Sequence, residues 1–185
     1  MLREILDEPW QPVTRAAFFS SVVFYAFFLL YAATHHGQFL FIDNVNLMVH
    51  EAGHLLFSWL GSTMTLYGGT LLQCLVPLLL AAYFFSQRNA VAFVFCMFFF
   101  FENLLYTATY MADARAQELP LVVVGDPEDN PHDWFLIFSR LGLLQHDTRI
   151  AALTRFIGYS GMLAAPVWLT HRHLEDRRDA AEFSS

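Results

Sequence analysis

Long apolar runs, separated by short polar turns, dominate this chain. A membrane-spanning helix needs about 20 apolar residues, because each residue advances about 1.5 Å through a hydrocarbon layer of about 30 Å. Five runs approach this length and are predicted to cross a membrane: residues 16–34, 41–61, 69–86, 90–112 and 150–170. We therefore expect an all-α, polytopic helical membrane protein whose residues 1–185 form a single transmembrane domain.

Two shorter segments fit between the predicted spans. Residues 62–69, STMTLYGG, are rich in Thr and Gly, which favours a turn or a short membrane-dipping loop. Residues 134–144, WFLIFSRLGLL, are apolar but too short to span. We expect them to form an amphipathic segment that lies on the bilayer or dips into it.

Polar side chains interrupt two of the predicted spans, 41–61 and 90–112. An ionisable residue at mid-bilayer costs about 2.5 to 3.5 kcal/mol on insertion scales, so such residues normally face the protein interior or a water-filled cavity. In the second of these spans and just beyond it, polar residues recur at helical spacing. They are predicted to form one inward-facing stripe of Glu102, Tyr106, Thr109, Tyr110 and Asp113.

The span 41–61 contains HEAGH at residues 50–54, which is an HExxH pattern. Residues four apart share one face of a helix, so His50 and His54 can bind one metal ion, and Glu51 beside them can act on a metal-bound water. The alternative is that these groups only hydrogen-bond inside a polar core. Packing alone would not require three ionisable side chains so close together in an apolar helix. The pattern therefore predicts Zn²⁺ as the cofactor.

Composition and charge narrow the class of partner. The chain is 56% hydrophobic and contains 20 Phe, which is typical of an integral membrane protein. Its 17 acidic and 10 basic residues give a net charge of −7, so we expect no nucleic-acid partner. Cys74 and Cys96 both lie in apolar runs, and two such cysteines indicate neither a disulfide framework nor a zinc site.

The distribution of arginines bears on the orientation of the chain in the membrane. Residues 34–46 contain no Arg or Lys, which favours an outside position for this connection and a cytoplasmic amino terminus. We therefore expect a multi-pass protein of a bacterial-type inner or plasma membrane, with its candidate site open to the cytoplasm.

Three motifs resemble those of the site-2 protease family, which are intramembrane zinc metallopeptidases whose HExxH helix is buried in the bilayer. They are HEAGH, the Gly-rich stretch behind it, and NPHDW at residues 130–134. In that family a later Asn-Pro and Asp-Gly type motif supplies a carboxylate as the third zinc ligand. Asn130, Pro131 and Asp133 match part of this motif, with Trp134 in place of the glycine. The resemblance therefore implies Asp133 as the third ligand.

Three other residues remain candidates for that ligand. Asp113 ends the polar stripe, His132 offers another imidazole, and Glu102 lies at about the depth of His50 if the predicted spans are aligned. A catalytic zinc accepts either a carboxylate or an imidazole and leaves its fourth position to water. The residue pattern alone does not choose among them.

The expected function is zinc-dependent hydrolysis of a peptide bond in or beside the bilayer, with Glu51 as the general base. The resemblance implies a membrane protein or a membrane-proximal peptide as the substrate. Gln73, Asn103 and Tyr106 are predicted to line the substrate site. The alternative function is non-proteolytic zinc binding, either in metal handling or in a pseudoprotease that captures helices.

Overall fold

The computed structural model describes residues 8–119 and 132–182, and within these ranges every regular element is a helix. The all-α prediction is therefore confirmed. Two short 3₁₀ turns, Ser58–Leu60 and Leu144–His146, accompany the α-helices. The α-helices are α1 (Arg15–Thr34), α2 (Asp43–Phe57), α3 (Ser62–Ser86), α4 (Ala90–Ala112), α5 (Asp133–Leu141) and α6 (Asp147–Glu182).

Four helical stretches are long and apolar enough to cross a membrane: α1, α3, α4 and Leu144–Glu182, which contains α6. This agrees with the prediction of a membrane protein. The predicted span 41–61 behaves differently, because its helix α2 has only 15 residues. At about 1.5 Å per residue it is about 22 Å long, which is shorter than the hydrocarbon layer. It is not one of the four candidate spans.

The prediction of a turn or loop at residues 62–69 is wrong, since these residues form the first turns of α3. Gly53 of α2 and Gly68 of α3 explain the difference. A Cβ atom added to Gly53 would lie 2.2 Å from the carbonyl oxygen of Gly68, so the two helix backbones are in contact. The Gly-rich sequence permits a close helix crossing here. The turn lies just before it, at Gly61, where φ is +96°.

Helix α2 is mainly polar on its buried face and mainly apolar on its exposed face. Val45, Met48 and Leu55 are all more than half exposed. Such an arrangement is expected of a helix whose outer surroundings are apolar, because its polar groups find partners only inside the protein. The buried face consists of Asp43, Asn46, His50 and Gly53.

The chain divides into two compact units. The first contains the described residues of Met1–His36, Val76–Phe101 and Ser160–Ser185. Aromatic side chains fill its core, where the rings of Tyr25 and Phe98 lie 4.6 Å apart between centroids. The backbone N–H of Val13 donates to Asp176 over 2.8 Å, which fixes the chain before α1 to the carboxyl-terminal part of α6.

The second unit contains Gly37–Leu75 and Glu102–Tyr159, and it includes every described residue for which a site role is predicted. Helix α5 packs into its core through Ile137 and Phe138, each only 2% exposed. Helix α5 therefore has the predicted amphipathic character, but its apolar face packs against other residues of this unit. The other buried members of this core are Leu66, Met111, Ala114 and Ala151.

The contact between α2 and α3 predicts that Gly53→Ala destabilises the protein. Alanine gains about 0.5 to 1 kcal/mol in a helix interior, but overpacking costs about 1 to 3 kcal/mol, and here the added methyl group meets backbone, which cannot rotate away. Thermal unfolding in detergent measures the effect. Ala52→Ser, at the neighbouring exposed position, serves as the control. Equal melting temperatures for the two variants would contradict the close crossing.

Candidate metal centre

The two histidines of the HExxH pattern point at one carboxylate. His50 and His54 lie one turn apart on α2, and Asp133 is the first residue of α5. The Nε2 atom of His50 is 2.9 Å from Oδ2 of Asp133, and Nε2 of His54 is 3.1 Å from the same oxygen. The His50 side chain is only 3% exposed, so these atoms meet in the protein interior.

Helix α3 holds both rings from their other side. Nδ1 of His50 lies 2.6 Å from the amide oxygen of Gln73, and Nδ1 of His54 lies 2.7 Å from the backbone carbonyl oxygen of Thr65. Carbonyl oxygens only accept hydrogen bonds, so each Nδ1 carries a proton and donates it. A neutral imidazole with its proton on Nδ1 has its lone pair on Nε2, the atom that faces Asp133 in both rings.

Three electron-pair donors therefore converge on one point. Without a metal ion, a proton must lie between an Nε2 atom and the carboxylate, which makes an imidazole cationic or the carboxylate neutral. A metal cation is bound by just such neutral imidazoles and ionised carboxylates. Gly69 of α3 packs directly against the His50 ring, because a Cβ atom added there would lie 2.4 Å from Nε2 of His50. The two Nε2 atoms and the Asp133 carboxylate, packed closely against Gly69, therefore fit a metal ion.

Glu51 lies beside this group. One of its carboxylate oxygens and one nitrogen of each histidine all lie within 4.8 Å of one another, a spacing at which the three residues could hold a metal ion. Asp133 approaches both imidazoles more closely, so we assign the third contact to Asp133. Glu51 is half-buried and remains available at the edge of the site.

Asp133 is itself held in place by its surroundings. Its backbone N–H donates to the hydroxyl oxygen of Tyr110 over 3.2 Å. The preceding residue, His132, caps α5 by accepting the N–H of Phe135 through Nδ1. Burial raises the pKa of Asp133, but the adjacent His50 and His54 outweigh it and hold that pKa below its ordinary value, which favours the ionised carboxylate.

The three other candidates for the third ligand have different contacts. Nε2 of His132 faces Asp113 at 3.3 Å, and Asp113 accepts the backbone N–H groups of Glu118 and Leu119. Burial lowers the pKa of His132 despite the nearby Asp113 charge, and its Nδ1 accepts a backbone N–H, which together favour the neutral imidazole. Glu102 is fully buried and accepts a hydrogen bond from Asn46 over 2.9 Å. Of the four candidates, Asp133 is the one whose side chain contacts both His50 and His54.

Of the three residues predicted to line a substrate site, Gln73 and Tyr106 lie near His50. Gln73 binds the His50 ring and also donates to Thr107 over 3.2 Å, and it is only 2% exposed. The ring centroid of Tyr106 lies 6.2 Å from that of His50. Asn103 is buried on α4. A substrate-lining role stays a prediction for all three, but Gln73 has a definite contact with a candidate ligand.

Comparisons of the chain with protein families, with curated proteins and with solved structures find no match. The resemblance to site-2 proteases rests on the motifs alone. Of the NPHDW motif, Asn130 and Pro131 lie outside the described residues, and the structure places only His132, Asp133 and Trp134.

Sequence reasoning missed two contributions to this site. The carbonyl of Thr65 acts through the backbone, so no side-chain pattern could have indicated it. Tyr110 belonged to the predicted stripe, but helical spacing shows only the face on which a residue lies. Its contact with Asp133 joins residues 23 positions apart and depends on the tertiary fold.

Because Gln73 fixes the orientation of His50, we predict that Gln73→Leu weakens metal binding about 10- to 100-fold, as is usual when such an outer hydrogen bond to a ligand is lost. Gln73→Glu keeps an acceptor oxygen and should bind metal at least as well as Gln73→Leu. Zinc titration of the purified protein measures the affinities. Gln87→Leu, at an exposed position of similar chemistry, is the control. Unchanged affinity in Gln73→Leu would contradict the role of Gln73.

Proposed function

We propose that this protein is a zinc-dependent hydrolase of peptide bonds that acts in or beside the membrane, as the resemblance to site-2 proteases suggests. His50, His54 and Asp133 hold the zinc ion, and Glu51 is the general base. The observation that carries the proposal is the convergence of two Nε2 atoms on one carboxylate oxygen, at 2.9 and 3.1 Å. Ligand atoms of a tetrahedral zinc site, each about 2.0 to 2.2 Å from the ion, are about 3.3 Å apart.

The position of Glu51 favours catalysis over simple metal storage. Three protein ligands are enough for a catalytic zinc site, whose fourth position stays open. Since Asp133 completes the set of three, Glu51 is not needed to hold the ion. Its carboxylate nevertheless lies within 4.8 Å of the histidine nitrogens. A free carboxylate at this distance can accept a proton from a water at the site.

When bound, zinc would lower the pKa of a water molecule and polarise the carbonyl of the substrate. Glu51 would accept the proton released by that water and pass it to the leaving amine nitrogen. Gln73 and the Thr65 carbonyl keep both imidazoles in one tautomer and one orientation during this reaction. No covalent bond between the protein and the substrate is required.

The surroundings of the site support a substrate at the membrane. Helix α2, which carries both histidines, exposes Met48 and Leu55 at about 70% of their surface. The chain also has four helices suited to crossing a membrane. A membrane protein or a membrane-proximal peptide is therefore the proposed substrate, and it must present extended or unwound backbone because a helical peptide bond is sterically shielded.

If the three ligands act together, the protein purified in detergent should contain about one zinc per chain. His50→Ala, His54→Ala and Asp133→Ala should each lose most of it, because two remaining ligands bind weakly. Elemental analysis measures the metal content. His146→Ala and Asp179→Ala remove the same side chains at exposed positions and should keep the metal. Retention of zinc in all three ligand variants would refute the site.

Replacing Glu51 by Gln should keep the zinc and abolish cleavage, because the amide keeps the shape of the side chain but cannot accept a proton. Single transmembrane peptides and unstructured peptides, incubated with the protein in vesicles and analysed by mass spectrometry, provide the assay. Glu118→Gln, at an exposed position, is the control. Equal cleavage by Glu51→Gln and the unmodified protein would exclude Glu51 as the base. If neither protein cleaves but both bind zinc, a metal-handling or helix-capturing role replaces the proposal.

A further inference from the structure

Tyr110 places a phenol hydroxyl next to the candidate metal centre. The residue is 7% exposed and lies on α4. Its hydroxyl oxygen accepts the backbone N–H of Asp133 over 3.2 Å, and its ring centroid lies 5.9 Å from that of His50. The hydroxyl is therefore adjacent to the residue that meets both histidines.

The hydrogen bond with Asp133 uses only the oxygen of this hydroxyl, so its hydrogen stays available for a second hydrogen bond. The two neighbouring imidazoles would not accept it once a metal ion is bound to Nε2 of His50. Nδ1 of His132 accepts the N–H of Phe135 while its Nε2 faces Asp113, and Nδ1 of His50 donates to Gln73. A buried hydroxyl donor without a partner is unfavourable. An oxygen supplied by a ligand would satisfy it.

The oxygen that fits best is the carbonyl oxygen of a peptide under attack. That oxygen gains negative charge as the reaction proceeds, and a fixed donor in a buried site stabilises such a charge strongly. The N–H of Asp133, which points into the Tyr110 oxygen, fixes the hydroxyl group before a substrate arrives.

We propose that Tyr110 donates a hydrogen bond to the carbonyl oxygen of the scissile peptide as that oxygen becomes an oxyanion. This inference rests on the proposed function. The water oxygen forms a bond to the carbonyl carbon, and the π electron pair moves to the carbonyl oxygen. Tyr110 keeps its proton throughout. Glu51 accepts one proton of the water and gives it to the amide nitrogen, which takes the C–N electron pair as that bond breaks and the oxyanion pair re-forms the C=O bond.

Tyr106 provides a matched comparison. It lies one turn earlier on α4, and its ring centroid is 6.2 Å from that of His50, a distance similar to that of Tyr110. Among the described residues, however, only Tyr110 of this pair is hydrogen-bonded to Asp133. The two tyrosines thus share the helix and the proximity to His50 but differ in the contact that fixes the hydroxyl.

The test compares Tyr110→Phe with Tyr106→Phe in zinc content, zinc affinity, kcat and KM. Tyr110→Phe should keep about one zinc per chain and a KM within a few-fold of the unmodified protein, while kcat falls about 100- to 1,000-fold, as expected for loss of one oxyanion donor. Tyr106→Phe, at a position predicted to line the substrate site, should change KM more than kcat. A phosphinic peptide, whose tetrahedral centre mimics the oxyanion, should bind less tightly to Tyr110→Phe by a factor similar to the loss of kcat/KM.

A second replacement tests the hydroxyl without removing it. Difluorotyrosine at position 110 keeps the shape and the oxygen but loses its proton at lower pH, so the alkaline limb of the kcat profile should move to lower pH. The same replacement at position 106 should not move it. This comparison remains informative if Tyr110→Phe folds poorly.

Two results would overturn the inference. In the first, excess zinc restores the activity of Tyr110→Phe, which would mean that Tyr110 only positions Asp133. In the second, Tyr110→Phe cleaves as fast as the unmodified protein. In both results the unmodified protein is active, so the proposed function survives. If the unmodified protein binds zinc but cleaves no peptide, the proposed function and the inference fall together.

Discussion

A polar side chain inside an apolar helical protein has no water to bind, so it must find its partners within the chain. Helix α2 follows this constraint along its whole buried face. Asp43 accepts the backbone N–H of Leu40 over 2.6 Å, and the amide of Asn46 donates to both Asp43 and Glu102. One turn further along α2, His50 binds Gln73 and Asp133. The rotation of α2 about its axis is thereby fixed, and the direction of both histidines follows from it.

The bridge through Asn46 also links α2 to α4. Its amide nitrogen lies 2.8 Å from Asp43 and 2.9 Å from Glu102, so a single amide group connects two carboxyl groups. Such a network is expensive if any member is lost, because the remaining groups stay buried without partners. The same helix α4 carries Tyr110, which binds the backbone of Asp133. Helix α4 therefore supports the site at both ends, through Asn46 on α2 and through Asp133 on α5.

The sequence allowed prediction of those features that depend on local periodicity. The apolar run at 90–112 became helix α4 with the predicted bounds, and the spacing of His50 and His54 placed both on one face of α2. Features that depend on partners distant in sequence were not predicted. The Gly-rich residues 62–69 look like a turn in isolation, but they are helical because Gly68 meets Gly53 of another helix. Asp133 was indicated only by resemblance to a family motif, since 83 residues separate it from His50.

The first half of α3 combines two tasks that proteins often divide between different segments. Gly68 and Gly69 provide the close crossing with α2, and Thr65 and Gln73 orient the two imidazoles. All four lie within nine consecutive residues. Insertion of one residue between Thr65 and Gln73 would rotate the following part of α3 by about 100° about the helix axis. The glycines that pack against α2 and the two hydrogen-bond acceptors would then no longer face α2 together. The orientation of both imidazoles and the register of α3 are thus one property of this protein, and a metal ion bound at the proposed site would report on how α3 packs against α2.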